Sequence, residues 1–278
     1  MKEQLKAPIM IFSVFLIIAI ILSYLTEEIF LLFNFLYIGS FISIGIYLFN
    51  TNNKYSRNIV QIAVGSYLLI YVGLILNNNI LISGFFYYLL IGVFQAAVIH
   101  FLIAKILGPL IFGRGWCGYA CWTAMILDIL PYKTPKTHIR RKNLGYLRYA
   151  LFILIVTSVL ILLYYLKTPN LDNLMFLLFI VGNIIYYIVG IILAYLFKDN
   201  RAFCKYVCPI CTFLKPASYL SILRVKVNLE KCNKCNACVE ICPMDVDILD
   251  SKRNRKNGTE CIMCLECVKL CPTNCIKM

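Results

Sequence analysis

The sequence predicts an all-α polytopic membrane domain of six transmembrane helices over residues 1–226 and a small α+β domain over residues 227–278. The chain has 278 residues, of which 61% are hydrophobic and only 14% are charged, whereas about a quarter of an ordinary soluble domain is charged. This composition excludes a soluble globular protein. All 14 cysteines lie at or after Cys117. Because the chain is too long and apolar for a secreted disulfide scaffold, we expect the cysteines to bind metal.

Six apolar stretches are long enough to form membrane-spanning helices, because one bilayer crossing takes about 20 apolar residues. They are residues 8–25, 29–49, 59–76, 84–104, 147–166 and 174–197. The fourth stretch is unusual, since its apolar run continues over residues 80–112 and exceeds the length of one crossing. We expect residues 106–112 to fold back into the membrane or to lie at its surface.

The distribution of basic residues predicts the orientation of these helices. The chain has 27 Lys and Arg against 13 Asp and Glu. With a cytoplasmic N-terminus, Lys167 is the one basic residue in the outer connections, as the positive-inside rule requires. Both termini and every cysteine are therefore expected on the cytoplasmic side of a bacterial inner membrane, with lipid around the helices. Because topology accounts for the net charge of +14, no nucleic-acid partner is expected.

The segment after residue 226 is too small for a large hydrophobic core and carries one cysteine motif twice. The spacing C-x2-C-x2-C-x3-C-P occurs at Cys232, Cys235, Cys238 and Cys242, and again at Cys261, Cys264, Cys267 and Cys271. In this motif the first three cysteines bind one 4Fe-4S cluster and the fourth binds the other cluster. The predicted ligand sets are Cys232, Cys235, Cys238 and Cys271 for one cluster, and Cys261, Cys264, Cys267 and Cys242 for the second. Zinc knuckles are disfavoured, because they need no fourth cysteine followed by proline.

Residues 228–278 resemble a bacterial two-cluster ferredoxin, which implies a small fold with one pair of short strands. Residues 225–229 and 275–278 are the segments available to pair. Cys275 departs from the ferredoxin pattern, which usually has a small residue at this position. It is either a buried thiol with no part in metal binding or a spare ligand.

A second cysteine motif is repeated near the membrane. Residues 114–121, RGWCGYAC, match residues 201–208, RAFCKYVC, and both read R-x-aromatic-C-x-Y-x-C. If each segment is a helix, its two cysteines share one face, and the four thiolates together suffice for a third iron-sulfur cluster. These cysteines are Cys117, Cys121, Cys204 and Cys208. The alternatives are packing residues or a redox-active dithiol. Cys211, one turn further, is a core residue or a substitute ligand.

Together these motifs resemble the membrane polyferredoxins of the NapH, NosR, MauN and CcoG type over about residues 84–278. The resemblance implies an electron-transfer subunit of an oxidoreductase that passes single electrons between a membrane donor, such as the quinol pool or a membrane partner, and a redox partner. One branch implies an alternative, a redox factor for the maturation of a metalloenzyme, and a redox sensor is a further alternative. The family usually has C-x3-C-P in both membrane motifs, whereas Trp122 follows Cys121 here.

The histidines and glycines narrow the expected cofactors. The chain has only two histidines, His100 in the fourth span and His138 in a basic inner loop, and it has no C-x-x-C-H motif. No haem is therefore expected. No nucleotide-binding glycine motif occurs. His100 either bonds to a neighbouring helix or faces a quinone, which is a further candidate partner. The basic run 252–256 is a solvated loop or a docking site.

Overall fold

Three long apolar helices open the structure, a computed structural model that describes residues 2–94, 96–132, 141, 143–166 and 171–278. They are α1 (Lys2–Thr26), α2 (Ile29–Asn50) and α3 (Ser56–Ser66, continued as the π-helix Tyr67–Ile75). Large apolar side chains cover their outer surfaces; Ile9, for example, is 59% exposed. Because such surfaces are unfavourable in water, they indicate contact with lipid.

The fourth predicted span, residues 84–104, is wrong as a single helix. Helix α4 (Ile82–Leu90) ends at a turn in which Gly92 has a φ of +75°. A second helix, α5, then runs back through Ala96–Phe101, Leu102–Leu107 and Gly108–Phe112. The ring of Phe85 stacks on that of Phe101 with 4.0 Å between their centroids. An apolar run too long for one crossing thus doubles back at a glycine, which tolerates a left-handed conformation.

Residues 106–112, which we expected to fold back into the membrane or to lie at its surface, form the end of helix α5. The remaining helices of this domain are α6 (Gly115–Tyr119), α7 (Trp122–Leu127), α8 (Leu147–Ile161, continued as the π-helix Leu162–Leu166), α9 (Leu171–Phe197), α10 (Ala202–Tyr206) and α11 (Cys211–Tyr219). Among the residues that the structure describes, five helices are long and apolar enough to cross a membrane, namely α1, α2, α3, α8 and α9, and α5 is a shorter apolar helix.

The short helices α6 and α7 fill the space between the long helices. The indole N–H of Trp122 donates to Oδ1 of Asn183 on α9 at 2.8 Å, which ties α7 to the longest helix. A Cβ on Gly65 of α3 would lie 3.3 Å from the backbone of Trp122, so the missing side chain lets α3 and α7 approach closely. His138, Lys167 and most of the basic loop before α8 lie outside the described residues.

The last part of the chain, which begins with strand β1 (Lys226–Val227), is here called the tail domain and contains one strand pair. Strand β1 pairs antiparallel with β2 (Ile276–Lys277), within the segments expected to pair. Two short helices, α12 (Ala237–Glu240) and α13 (Glu266–Leu270), each follow a cysteine loop. The backbone N–H groups of Ile222 and Leu223 donate to carbonyls at the end of α5, at 3.0 and 2.7 Å. This link joins the tail domain to the membrane domain.

Candidate functional site

The tail domain contains two small cavities lined by cysteine thiols. The outer cavity, next to the strand pair, is lined by Cys232, Cys235, Cys238, Cys271 and Cys275 together with Val227 and Ile276. Cys235 is solvent-exposed, so this cavity lies at the surface of the molecule. The inner cavity is lined by Cys242, Cys261, Cys264 and Cys267 and by apolar residues that include Met244, Val246 and Ile262.

Each cavity receives three cysteines from one run and the fourth from the other run. The loops that carry the first three cysteines share one backbone signature. Lys234 and Asn236 have positive φ in the first loop, at 57° and 60°, and Met263 and Leu265 have positive φ in the second, at 54° and 60°. Left-handed backbone is costly for residues other than glycine. The two cysteine loops therefore have the same strained backbone conformation at equivalent positions, which indicates that they bind the same kind of group.

The chemistry of the lining fits an iron-sulfur cluster. The backbone N–H groups of Lys234 and Val246 donate to the sulfurs of Cys232 and Cys242, both at 3.4 Å. Bonds of this kind stabilise thiolates and tune a cluster's potential. Burial raises the pKa of the Cys264 thiol to about 11. Because thiols bind iron as thiolates, loading this site must release protons.

Within the described residues, no three His, Cys, Asp or Glu side chains converge on the position of a single metal ion. The thiols of each cavity instead stand around its wall. A zinc knuckle requires four ligands at about 2.0–2.3 Å from one point. The spacing therefore suits a cube of iron and sulfide better than a lone zinc ion.

The cysteines of the two repeated octapeptides, here called the membrane-face cysteines, do not lie in continuous helices. Cys117 is inside the one-turn helix α6, but Cys121 precedes α7 with φ −78° and ψ 115°. Cys204 is likewise inside α10, and Cys208 lies in the turn before α11. A shared face for each pair was expected only if each segment formed one helix, and this condition is not met, because both helices end after one turn. The break occurs in the first motif without the proline that follows Cys208.

The two motifs nevertheless bring their thiols together. Cys117, Cys121 and Cys211 act electrostatically on Cys204, and burial raises the pKa of the Cys204 thiol to about 12. The Cys211 thiol donates to the carbonyl of Cys204 at 3.5 Å, and interaction with Cys211 together with burial raises the pKa of the Cys208 thiol. The membrane-face site therefore contains five thiols. Cys211, which the sequence left as a core residue or a substitute ligand, is fully buried within it.

Two arginines that sequence reasoning did not assign to the site reach across between the motifs. Arg114, from the first motif, donates to the Cys211 sulfur at 3.0 Å. Arg201, from the second, donates to the carbonyl of Cys117 at 3.0 Å and lies 3.9 Å from the Cys204 sulfur. Both side chains are 1% exposed. The signal in the sequence was the arginine that opens each repeated octapeptide.

Acidic residues hold both arginines in place. Arg201 forms an ion pair with Asp128, which also pairs with Arg57 at 2.5 Å. Arg114 forms an ion pair with Glu260 of the tail domain, and Arg148 pairs with the same carboxylate at 2.9 Å. Burial alone would raise the pKa of Asp128, but the two arginines bring it below its usual value of 3.8.

The three thiol groups follow one another in space. Arg114 contacts the sulfur of Cys211 and forms an ion pair with Glu260, the residue that precedes Cys261 of the inner cavity. Helix α12, which contains Cys238 of the outer cavity, packs against α13, which contains Cys267 of the inner cavity. The inner cavity therefore lies between the membrane-face site and the outer cavity. Tyr119 strengthens the first junction by donating its hydroxyl to the carbonyl of Met263 at 3.2 Å.

His100 packs against the membrane-face site. Its ring meets the edge of Trp116 with 5.2 Å between centroids, and Lys105 lies 5.3 Å from the centre of the same indole. Among the described residues, Nε2 of His100 and Nε1 of Trp116 have no hydrogen-bond partner. The helix-to-helix hydrogen bond considered for His100 is therefore not seen at Nε2.

Comparison with known proteins identifies the chemistry of these sites. Residues 224–272 match the family described as a 4Fe-4S dicluster domain, and residues 94–145 and 183–230 each match a 4Fe-4S binding domain. The chain is an iron-sulfur binding protein. The match over residues 224–272 contains both tail motifs, and the other two matches contain the membrane-face motifs. With its long apolar helices, the protein is a membrane iron-sulfur protein.

Two uncharacterized proteins of Methanocaldococcus jannaschii are similar to it. MJ0750 is 31% identical over 163 residues, which cover 54% of this chain and 66% of the relative. MJ0749 is 29% identical over 182 residues, which cover 61% of this chain and 67% of the relative. The chain thus spans about two thirds of each relative's length. No solved structure matches the chain.

Proposed function

We propose that this protein passes single electrons between a membrane donor, the quinol pool or a membrane partner, and a redox partner in the cytoplasm. It would do so as a subunit of an oxidoreductase, in the manner of the NapH-type polyferredoxins that its motifs resemble. The observation that supports this function most is the row of three thiol groups, which leads from the membrane domain to an exposed cysteine. A row of redox sites sets a direction for electrons.

The two tail cavities are the proposed sites of two 4Fe-4S clusters. The outer cluster would be held by Cys232, Cys235, Cys238 and Cys271, and the inner cluster by Cys261, Cys264, Cys267 and Cys242. A 4Fe-4S cluster supplies reversible one-electron chemistry. The chain contributes thiolate ligands, N–H donors to sulfur and burial, which together set the potential. The exposed Cys235 is where a soluble redox partner would come closest.

The membrane-face thiols are the proposed site of a third cluster, held by Cys117, Cys121, Cys204 and Cys208. Three buried cations favour a negatively charged occupant there. Arg114 and Arg201 are 1% exposed and Lys105 is 3% exposed, and all three act on these thiols. Buried cations need nearby negative charge. Glu260 and Asp128 are each shared by at least two cations, so thiolates around a cluster would supply the further negative charge.

The orientation follows from the charges. With the helices in the lipid of a bacterial inner membrane, the tail domain and both termini would lie in the cytoplasm, where basic residues are enriched. A quinone would meet the chain near the inner leaflet, and His100 with its unpartnered Nε2 is a candidate contact. A cytoplasmic tail also keeps the thiols reduced, which cluster binding requires.

Iron and acid-labile sulfide counting on the anaerobically purified full chain tests this proposal. Three clusters correspond to about twelve irons per chain. Replacing Cys117 and Cys204 by Ser should lower the count to about eight, whereas replacing the exposed Lys252 by Ala should not change it. If the double variant retains all its iron, the membrane-face thiols hold no cluster. If the wild-type chain holds no iron-sulfur cluster that an external donor can reduce, the proposed function is wrong.

A further inference from the structure

A fifth thiol lines the outer cavity, beyond the four that one cluster needs. The sulfur of Cys275 lies 3.4 Å from the sulfur of Cys271, and both side chains face the cavity. Cys275 is 4% exposed, whereas Cys271 is partly exposed. The more accessible ligand thus has a buried thiol directly behind it.

The inner cavity has a different residue at the position equivalent to Cys275. Cys242 and Cys271 are the fourth cysteines of the two runs, and each is followed four residues later by a side chain that lines its cavity. That side chain is Val246 in the inner cavity and Cys275 in the outer cavity. Valine fills the space with apolar atoms only. At this position the outer cavity has a thiol, which can bind metal, where the inner cavity has an apolar side chain.

The backbone holds Cys275 where it can reach the cavity. Its carbonyl accepts the N–H of Asn228 at 2.8 Å, and the next residue, Ile276, belongs to β2. Cys271 instead lies in the connection after α13 and has a hydroxyl, that of Thr273, 3.7 Å from its sulfur. Cys275 is therefore anchored on the strand pair, while Cys271 sits in a turn that solvent reaches.

We propose that Cys275 is a reserve ligand of the outer cluster, which binds the iron of Cys271 when that sulfur is lost or blocked. The inference rests on the ligand sets of the proposed function. The exchange moves no electrons. The bond from iron to the Cys271 sulfur breaks, the bond from iron to the Cys275 sulfur forms, and the thiol proton of Cys275 passes to Cys271 or to water. The sulfur needs to move by little more than the 3.4 Å that separates the two thiols.

The two cavities provide a matched pair of experiments in the full chain. Alanine is used because it offers no ligand. Cys271→Ala should keep all its iron and sulfide, with Cys275 bound, whereas Cys242→Ala should lose about four irons. The combination Cys271→Ala with Cys275→Ala should lose the same amount. Adding Val246→Cys to Cys242→Ala should restore the missing four irons, since it recreates the outer arrangement in the inner cavity.

Electron paramagnetic resonance after reduction shows which clusters remain, and alkylation followed by mass spectrometry shows which thiols are free. In wild-type protein, prolonged incubation with iodoacetamide should alkylate Cys275 slowly, because this thiol is free but only 4% exposed, whereas in Cys271→Ala the bound iron should protect it. If Cys271→Ala loses about four irons, or retains a three-iron cluster with Cys275 free, the reserve-ligand proposal is wrong. Wild-type protein with no clusters would instead overturn the proposed function, so the two failures are distinguishable.

Discussion

Replacing Glu260 by Gln is expected to separate the tail domain from the membrane domain. The Glu260 carboxylate is buried and forms ion pairs with Arg114 and Arg148, both 1% exposed. Removing one partner of a buried ion pair costs about 3–5 kcal/mol, because the remaining charge loses its counter-ion. Lys215, which also pairs with Glu260, is 32% exposed and can turn to water. At about 1.4 kcal/mol per factor of ten, the separated fraction should rise by about 100-fold to a few thousand-fold.

Trypsin cleavage after Arg224 measures this separation in the full chain. Arg224 lies in the link between α11 and β1, which hydrogen bonds from Ile222 and Leu223 hold against α5. When opening is fast, the cleavage rate follows the open population. Glu240→Gln is the matched control, because Glu240 is exposed on the same domain. If Glu260→Gln is cleaved no faster than Glu240→Gln at equal iron content, the buried ion pairs do not hold the two domains together.

Three further predictions test other contacts. Arg201 and Arg57 lower the pKa of Asp128. The two ion pairs of Asp128 therefore stabilise the fold at neutral pH, and this stabilisation is lost as the pH falls below 3.8. The stability difference between wild type and Asp128→Asn should shrink in acid; an equal difference at about pH 3 and about pH 7 would contradict this. Gly118→Ala should destabilise the domain junction by about 1–3 kcal/mol, since its methyl group would collide with the Ile262 carbonyl. Gly145→Ala, in open space, is the control, and iron release on heating is the measurement. The protein alone in liposomes should not reduce an impermeant acceptor across the bilayer, because no cysteine lies in the five long helices and the hydrocarbon core is about 30 Å thick. Such reduction without quinone would reveal a cofactor within the membrane.

The long helices could be predicted from the sequence because hydropathy acts locally. A run of about 20 apolar residues has few stable places other than a membrane. The reversal of the chain within residues 80–112 could not be predicted in this way, since composition alone does not distinguish one long crossing from two helices that fold back. The turn at Gly92 and the stacking of Phe85 on Phe101 are contacts between separate segments. No local pattern contains them.

The cysteine motifs differed in how far spacing alone could predict them. In the tail, two-residue gaps force a tight loop, and the structure places each fourth cysteine at the cavity of the other run. At the membrane face, the spacing of four was compatible with one helix. The helix ends early in the first motif even though no proline stops it. There the chain packs against the tail domain, where Tyr119 bonds to Met263, so a tertiary contact and not a local residue accompanies the break.

The paired arginines show where the repeat stops being symmetric. Arg114 and Arg201 occupy the same position in two similar octapeptides. Arg201 donates to the carbonyl of Cys117 in the first motif, and Arg114 donates to the sulfur of Cys211, just beyond the second motif. Their acidic partners differ, because Asp128 belongs to the membrane domain and Glu260 to the tail domain. A buried guanidinium needs a counter-charge. Of these two arginines, Arg114 takes its carboxylate partner from the tail domain, whereas Arg201 takes its partner from the membrane domain. The partner of Arg114, Glu260, directly precedes Cys261 of the inner cavity. Docking of the tail domain therefore completes the charge environment of the membrane-face thiols on the one side where the inner cavity approaches them.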